Sequence, residues 1–366
     1  MKIAIVYFPI NDAGGINSWC ENSILGFRRL GHEVDLLHMT PGVRMKCFPD
    51  RKHLTNRKVI LPGKFVSYRD GSEAQRVLNG YDFVIFLHPA PHPTGANIDA
   101  PGIDNWKKLY DIDPPTLMVM HDEKWQETNF WIRDVRDKVN GVMAAQHRFM
   151  PAAESYQSDA IKWWDYFPLD VPDQADFRKP PAPFGIVATQ WIQWKNHKHF
   201  LPMIPEIETP ISMYGSGIEY SYLNRDGAFD EFGIVNHVHP GKVSDSIHQY
   251  FGFVAYEEVM DAMKQAVFSI DLSTRGYTNM THWEPLMYGT ISMMERHVFE
   301  DKYNEIPGEC CWVYNFNDLP EEIEGLMAYM DLPNRDHDIQ KNGFEFIQRT
   351  SRCEDVCKRI LEKMGW

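Results

Sequence analysis

The chain has 366 residues, 43% of them hydrophobic and 13% aromatic, enough to pack real cores and too apolar for a disordered polypeptide. Its formal charge of −14 argues against a protein that coats nucleic acid, and no apolar run approaches the roughly 18 residues of a membrane span. Six cysteines, at 20, 47, 310, 311, 353 and 357, include no CxxC pair, which suits neither a zinc site nor a disulfide framework and points to a reduced cytoplasm.

The first element is "KIAIVYF" (2–8), a short buried-type strand at a start that lacks the apolar core of a signal peptide. After "NDAGG" comes a helix from about Ile16 to Leu30, with Gly31 as its stop. Strands follow in "GHEVDLLHM" (31–39), "YDFVIFLHP" (81–89), "PTLMVMHDE" (115–123) and "GVMAAQH" (141–147). Strands separated by helical patterns imply crossover units and a mainly parallel sheet, with ligands at the carboxyl ends. Between Arg44 and Lys64 lie seven cations and only Asp50, so this stretch carries +6 and the remaining chain −20. It is either a solvated basic loop or a phosphate-contacting one on an acidic body.

From about Trp164 to Pro183 the chain is proline-rich and aperiodic, as an interdomain connection is. A second alternating series then begins: strand "FGIVATQ" (184–190), a helix from about Asn196, and strands "PISMYG" (210–215) and "GIVNHVHP" (233–240). "YEEVMDAMKQA" (256–266) is an amphipathic helix, "VFSIDLS" (267–273) a buried strand, and "EPLMYGT" and "ISMME" a short helix and strand. About the last 45 residues read as helical, with Gly343 the main interruption. Two such halves joined by a proline-rich link imply a cleft, a favoured place for a ligand.

Five stretches carry candidate chemistry. In "NDAGGIN" (11–17), Gly14 and Gly15 form either an ordinary turn or a close approach to a phosphate at a helix N-terminus. In "MHDE" (120–123), His121 and Asp122 end an apolar strand, and Asp122 equally suits a helix cap. In "ATQWIQWKNHKHF" (188–200), Lys195 near a helix start is either solvated or set against a diphosphate, since the macrodipole does not favour a cation there. In "MYGSG" (213–217), Tyr214 and Gly215 lead a strand into a glycine loop, as an ordinary turn or as backbone contact to a nucleobase. In "THWEPLMYGT" (281–290), Glu284 before Pro285 is either a charge favoured at a helix start or an acid facing a ligand; Gly289 and Thr290 close a tight turn.

The order of these signals resembles that of retaining GT-B glycosyltransferases: Gly14 and Gly15 ahead of "FRRLGHEVDLL", Lys195 after a strand, "MYGSG", "YEEVMDAMKQAVFSIDLS", then Glu and Gly-Thr. Within that class the chain is most similar to the DNA α-glucosyltransferases of T-even bacteriophages. That similarity is carried by His121–Asp122 and by Thr281, His282, Glu284, Gly289, Thr290 and Ile291, with Trp194–Lys195 and Tyr214–Gly215 in support. The resemblance implies an α/β GT-B fold, two Rossmann-like domains with mainly parallel sheets facing an interdomain cleft. Residues 1–168 would bind acceptor, 169–345 would bind nucleotide sugar, and 346–366 would form a helix crossing back to the first domain.

It also implies a reaction: transfer, with retention, from a UDP-sugar to a hydroxyl on a modified base such as 5-hydroxymethylcytosine in double-stranded DNA, inside an infected bacterium. His121, Asp122 and Glu284 would be catalytic. Gly14, Gly15, Gln190, Lys195, Tyr214, Gly215, His282, Gly289 and Thr290 would bind donor, and Arg44, Lys46, Arg51, Lys52, Arg57 and Lys58 would meet DNA. The co-substrate would be UDP-glucose or another UDP-sugar such as UDP-arabinose, with no tightly bound cofactor, no essential divalent metal and no membrane partner. Two departures bear on the donor: Gln190 stands where the class carries an arginine, and Ser292 where a second glutamate is expected eight residues after Glu284. An acidic surface also suits the alternative, a saccharide or lipid-linked acceptor of envelope polysaccharide synthesis.

Overall fold

Two runs of alternating strand and helix build two seven-stranded sheets, and every strand pairing in both is parallel. The computed structural model of the chain describes residues 1–7, 15–40, 63–87, 103–121, 135–155, 158–177, 182–189, 196–215, 223–252, 254–273, 280–332 and 337–366. Among these, one compact unit takes the residues up to Asp170 together with Thr350–Trp366, and a second takes Val171–Arg349.

In the first unit the strands are β1 (Lys2–Tyr7), β2 (Glu33–Thr40), β3 (Lys64–Ser67), β4 (Phe83–Phe86), β5 (Thr116–Met120), β6 (Gly141–Ala144) and β7 (Ile161–Trp164), in the order β3-β2-β1-β4-β5-β6-β7. Helix α1 (Gly15–Arg29) joins β1 to β2, and α2 (Gly71–Leu78) joins β3 to β4. Side chains alternate across a strand, so Ala4 and Val6 pack with Ala74 and Leu78 of α2 while Ile3 and Ile5 turn to the opposite face. Burial on both faces is why the central strands read as unbroken apolar runs.

The second unit holds β8 (Gly185–Ala188), β9 (Ile211–Tyr214), β10 (Val235–Asn236), β11 (Gln249–Gly252), β12 (Phe268–Ile270), β13 (Ile291–Glu295) and β14 (Cys311–Tyr314), in the order β10-β11-β9-β8-β12-β13-β14. Helices α3 (Tyr256–Gln265), α4 (Met280–Trp283), α5 (Leu319–Met330) and α6 (Asp338–Thr350) belong to this half of the chain. The final helix, α7 (Cys353–Lys363), instead packs on α1. It is tied there by the Leu169 N–H to Ser351 carbonyl bond of 2.7 Å and the Cys353 N–H to Leu169 carbonyl bond of 2.9 Å. Arg359 adds a pair to Asp165, whose side chain is 7% exposed, through Nη2 at 2.6 Å.

The structure departs from the sequence reading at the sheet margins. Strands β3, β7, β11 and β14 were not expected, and the strand anticipated over 233–240 shrinks to Val235–Asn236. All have two to four residues, too few for a strand pattern to stand out, and β3, β7, β10 and β14 are edge strands with one side unpaired. The helix anticipated from Asn196 is one α-turn, His197–Phe200, followed by a 3-10 segment, Leu201–Glu206. Pro202 and Pro205 cannot donate α-helical hydrogen bonds there. No described helix is long and apolar enough to cross a membrane.

Candidate active site

In the second sheet the strand order reverses between β8 and β12, and a crevice at the carboxyl ends of such strands is where open α/β sheets take ligands. Asp271 directly follows β12 there, only 3% exposed. Its Oδ1 accepts the Ser273 N–H at 2.6 Å, its Oδ2 accepts the Thr281 hydroxyl, and its carbonyl accepts the Tyr314 hydroxyl at 3.2 Å. Asp271 therefore ties the end of β12 to α4, which carries His282 (1% exposed) and leads into Glu284. The sequence reading did not single out Asp271; the available signal was an acid closing the apolar run "VFSIDLS".

Glu284 is 6% exposed, and its carboxylate accepts the hydroxyl of Tyr256, the first residue of α3. Its N–H donates to the Met280 carbonyl at 2.8 Å, and Pro285 opens the 3-10 turn Pro285–Tyr288. An acid serving only as a helix-start charge would face solvent, whereas this one is enclosed and oriented by a phenol. Replacing Asp271 by Ala removes the bonds from the Thr281 hydroxyl and the Ser273 N–H. Urea titration should give a loss of about 1–3 kcal/mol, with an unchanged midpoint counting against the tie.

Tyr214 ends β9 and stacks on Phe251 of β11 at 5.1 Å. Burial, aided by the charge of Glu258 and opposed by a Ser212 hydrogen bond, holds its phenol above the usual range. Gly215 takes φ 139°, donates to the Gly252 carbonyl at 2.8 Å and accepts the Tyr250 hydroxyl at 3.1 Å. Gly289 takes φ 72°, and its carbonyl accepts Gln340 Nε2 at 2.7 Å. A Cβ on Gly289 would stand 2.7 Å from the Phe177 ring, so a close approach as well as the backbone angle calls for glycine.

Thr290 and Ser292 have internal positions. The Thr290 hydroxyl donates to the Met263 carbonyl at 2.6 Å and so holds the end of α3. Ser292 lies within β13, 0% exposed, in register with Ser269 of β12.

In the first unit, His121 follows β5 and meets Trp19 of α1 edge-on at 5.5 Å and Phe167 at 6.2 Å. The residue as a whole is half-buried, but its Nε2 is enclosed. Burial pushes its pKa down to about 3 from the ordinary 6.5, so the ring is neutral at physiological pH. A neutral imidazole here can orient a neighbour or hold a hydroxyl. Between those two pH values the unfolded chain binds a proton that the folded one refuses, so stability falls as pH drops below 6.5. His32 and His248, also lowered by burial, act in the same direction. Replacing His121 by Phe should flatten the acid limb of the stability curve by up to about 1.4 kcal/mol per pH unit; an identical limb would count against a buried neutral ring.

Several predicted positions lie outside the described residues: Gly14, Asp122, Gln190, Lys195, and the basic residues Arg44, Lys46, Arg51, Lys52, Arg57 and Lys58. Gly15 opens α1. Of the predicted residues, the structure links Glu284 to Tyr256 and Thr281 to Asp271, which also holds Ser273, partners that the sequence reading did not name, and it places His121 at a strand end. No group of three or more His, Cys, Asp or Glu suited to a metal ion occurs among the described residues.

The paired parallel sheets define an α/β GT-B fold, the architecture of the glucosyltransferases that the chain superposes on along its length. One is an alpha-glucosyltransferase solved in complex with UDP and a 13-mer DNA containing an HMU base: 13% identity, 100% of both chains covered, TM-score 0.75. An alpha-glucosyltransferase in complex with UDP-glucose and DNA containing an abasic site matches at 13% identity, over 100% of this chain and 99% of that one, with TM-score 0.74. Anabaena Alr3699/HepE in complex with UDP and glucose matches at 12% identity, over 100% and 99%, with TM-score 0.66. At these identities the likeness is one of fold. No protein-family model matches the sequence, and no curated protein does.

Proposed function

We propose that the protein is a glycosyltransferase that moves a sugar from a UDP-sugar to the hydroxyl of a modified base, 5-hydroxymethylcytosine or a relative, in double-stranded DNA. The observation that carries this reading is the end-to-end correspondence in fold with an alpha-glucosyltransferase solved with both UDP and DNA. The second unit would take the nucleotide sugar, with Glu284 holding donor hydroxyls or countering positive charge as it grows on the anomeric carbon. Lys195 would take part of the charge of the departing diphosphate. Asp122, oriented by a neutral His121, would receive or position the acceptor's proton in the first unit.

The bond formed joins the acceptor oxygen to the anomeric carbon, and the bond broken joins that carbon to the diphosphate oxygen. Retention, by transfer on one face, is what the resemblance to retaining GT-B enzymes implies, with no second carboxylate assigned for a double displacement. A base inside a duplex must be flipped out to reach such a site. The basic stretch 44–64 would contact the phosphate backbone, and UDP-glucose or UDP-arabinose would serve as donor, in the cytoplasm of an infected bacterium.

The second reading, a saccharide or lipid-linked acceptor, is favoured by the net charge of −14. Mass spectrometry of nucleosides, after incubation with a panel of UDP-sugars and duplexes with or without 5-hydroxymethylcytosine, separates the two. A hexose or pentose increment on modified DNA alone supports the first. Donor hydrolysis with no increment on either duplex moves the assignment to the second.

A further inference from the structure

The flank of the first unit has a recess of about 620 Å³ between the end of β7 and α7, which the proposed transfer reaction does not use. Trp163, Trp164, Asp165, Tyr166, Arg359 and Lys363 line it. Trp164 and Tyr166, both half-buried, meet edge to face at 5.0 Å and 69°, and Trp164 also stacks on His147 at 5.0 Å. Together they form an aromatic corner suited to a planar ring.

The polar groups of the lining are asymmetric. Asp165 is occupied: it accepts Arg359 Nε at 3.1 Å, Arg359 Nη2 at 2.6 Å and the Tyr166 N–H at 2.8 Å. Arg359 Nη2 also reaches the Thr350 carbonyl at 2.6 Å, but Nη1 makes no hydrogen bond among the described residues. The ammonium of Lys363, an exposed residue, also has no partner among them. Glu362, the remaining acid of the lining, lies 3.9 Å from Lys358. The open donors, Arg359 Nη1 and the Lys363 ammonium, outnumber the open carboxylate of Glu362, so an acceptor-rich anion fits better than a neutral saccharide.

We propose that this recess binds a nucleotide unit, its base against Trp164 and Tyr166 and its phosphate on Arg359 Nη1 and Lys363. The unit is either a free mononucleotide or one residue of a single strand, since both present the same base and phosphate.

The test uses the full chain without UDP, which would itself occupy the recess, and reads the recess as the part of the binding that substitutions in its lining remove. Calorimetric titration with dTMP and anisotropy of a labelled eight-nucleotide thymidine strand are measured at about 50 mM salt, where phosphate contacts are strong. Saturable binding of at least one probe is expected, weakened about tenfold or more by Lys363→Glu and by Trp164→Leu, with the melting temperature of Lys363→Glu unchanged. Comparable affinity for dTMP and the strand assigns the recess to free nucleotide; preference for the strand by about tenfold or more assigns it to single-stranded nucleic acid. Absence of binding by both probes overturns the proposal, as does binding that neither substitution alters. If Trp164→Leu fails to fold, Lys363→Glu decides alone.

Discussion

Replacing Glu284 by Gln is expected to lower the rate of sugar transfer about 100- to 1,000-fold, the scale on which removing one oriented electrostatic contact acts in an enclosed site. The amide has nearly the size of the carboxylate, and its oxygen can still accept the Tyr256 hydroxyl. The main loss is charge, in a position only 6% exposed where water screens little. Leaving the new NH₂ group without a partner costs at most about 1–3 kcal/mol, so an altered fold is not the expected cause. The measurement is kcat and donor KM by UDP release, beside a urea unfolding curve. A large fall in kcat with KM little changed assigns the charge to the transition state. A rise in KM alone would make Glu284 a donor-hydroxyl ligand and no more. If neither moves, Glu284 has no part in the reaction.

The second large effect is on stability. Gly26, in the last turn of α1, should tolerate no side chain: an added Cβ would stand 2.4 Å from the Cys353 carbonyl oxygen, 2.6 Å from its carbon and 2.7 Å from Cys357 Sγ. In an isolated helix Gly→Ala is worth about 1 kcal/mol in favour of the variant. Here the obstructing atoms include backbone of α7, which cannot rotate aside, and overpacking of this kind costs roughly 1–3 kcal/mol or more. The clash should win, with net destabilisation of about 2 kcal/mol by urea titration and faster proteolysis of the C-terminal helix. Gly31→Ala is the control. Gly31 has φ 84° and nothing within 4 Å of a built Cβ, so its variant should pay only backbone strain and leave α7 docked. A Gly26→Ala protein as stable as the parent would mean that α7 does not approach α1 this closely.

These two residues differ in what could be read beforehand. Glu284 was visible in the sequence because an acid before proline, ahead of Gly-Thr, is a local arrangement with few uses. Its partner Tyr256 lies 28 positions away and comes from another strand-helix connection, so no local pattern announced the pairing. Asp271 was passed over because one acid at the end of an apolar strand is common; its bonds to Thr281 and Ser273 give it meaning. Gly26 looks like an ordinary weak point in a helix until α7, more than 300 residues further on, is laid against it.

Periodicity alone determined the central strands, the amphipathic helix over 256–266 and the doubly wound α/β class. Strands buried on both faces must be continuously apolar, and such runs are legible without partners. The order of the glycine turns, His121–Asp122 and Glu284 carried the resemblance that led to the GT-B fold. Tertiary structure decided the rest. Edge strands such as β3 and β14 are defined mainly by the neighbour they hydrogen-bond, which their own few residues do not encode. The surroundings of Thr290 and Ser292 were set in the same way: whether a hydroxyl meets a helix end or an enclosed sheet face depends on what lies across from it. Sequence spacing records neighbours along the chain, and only packing supplies those across it.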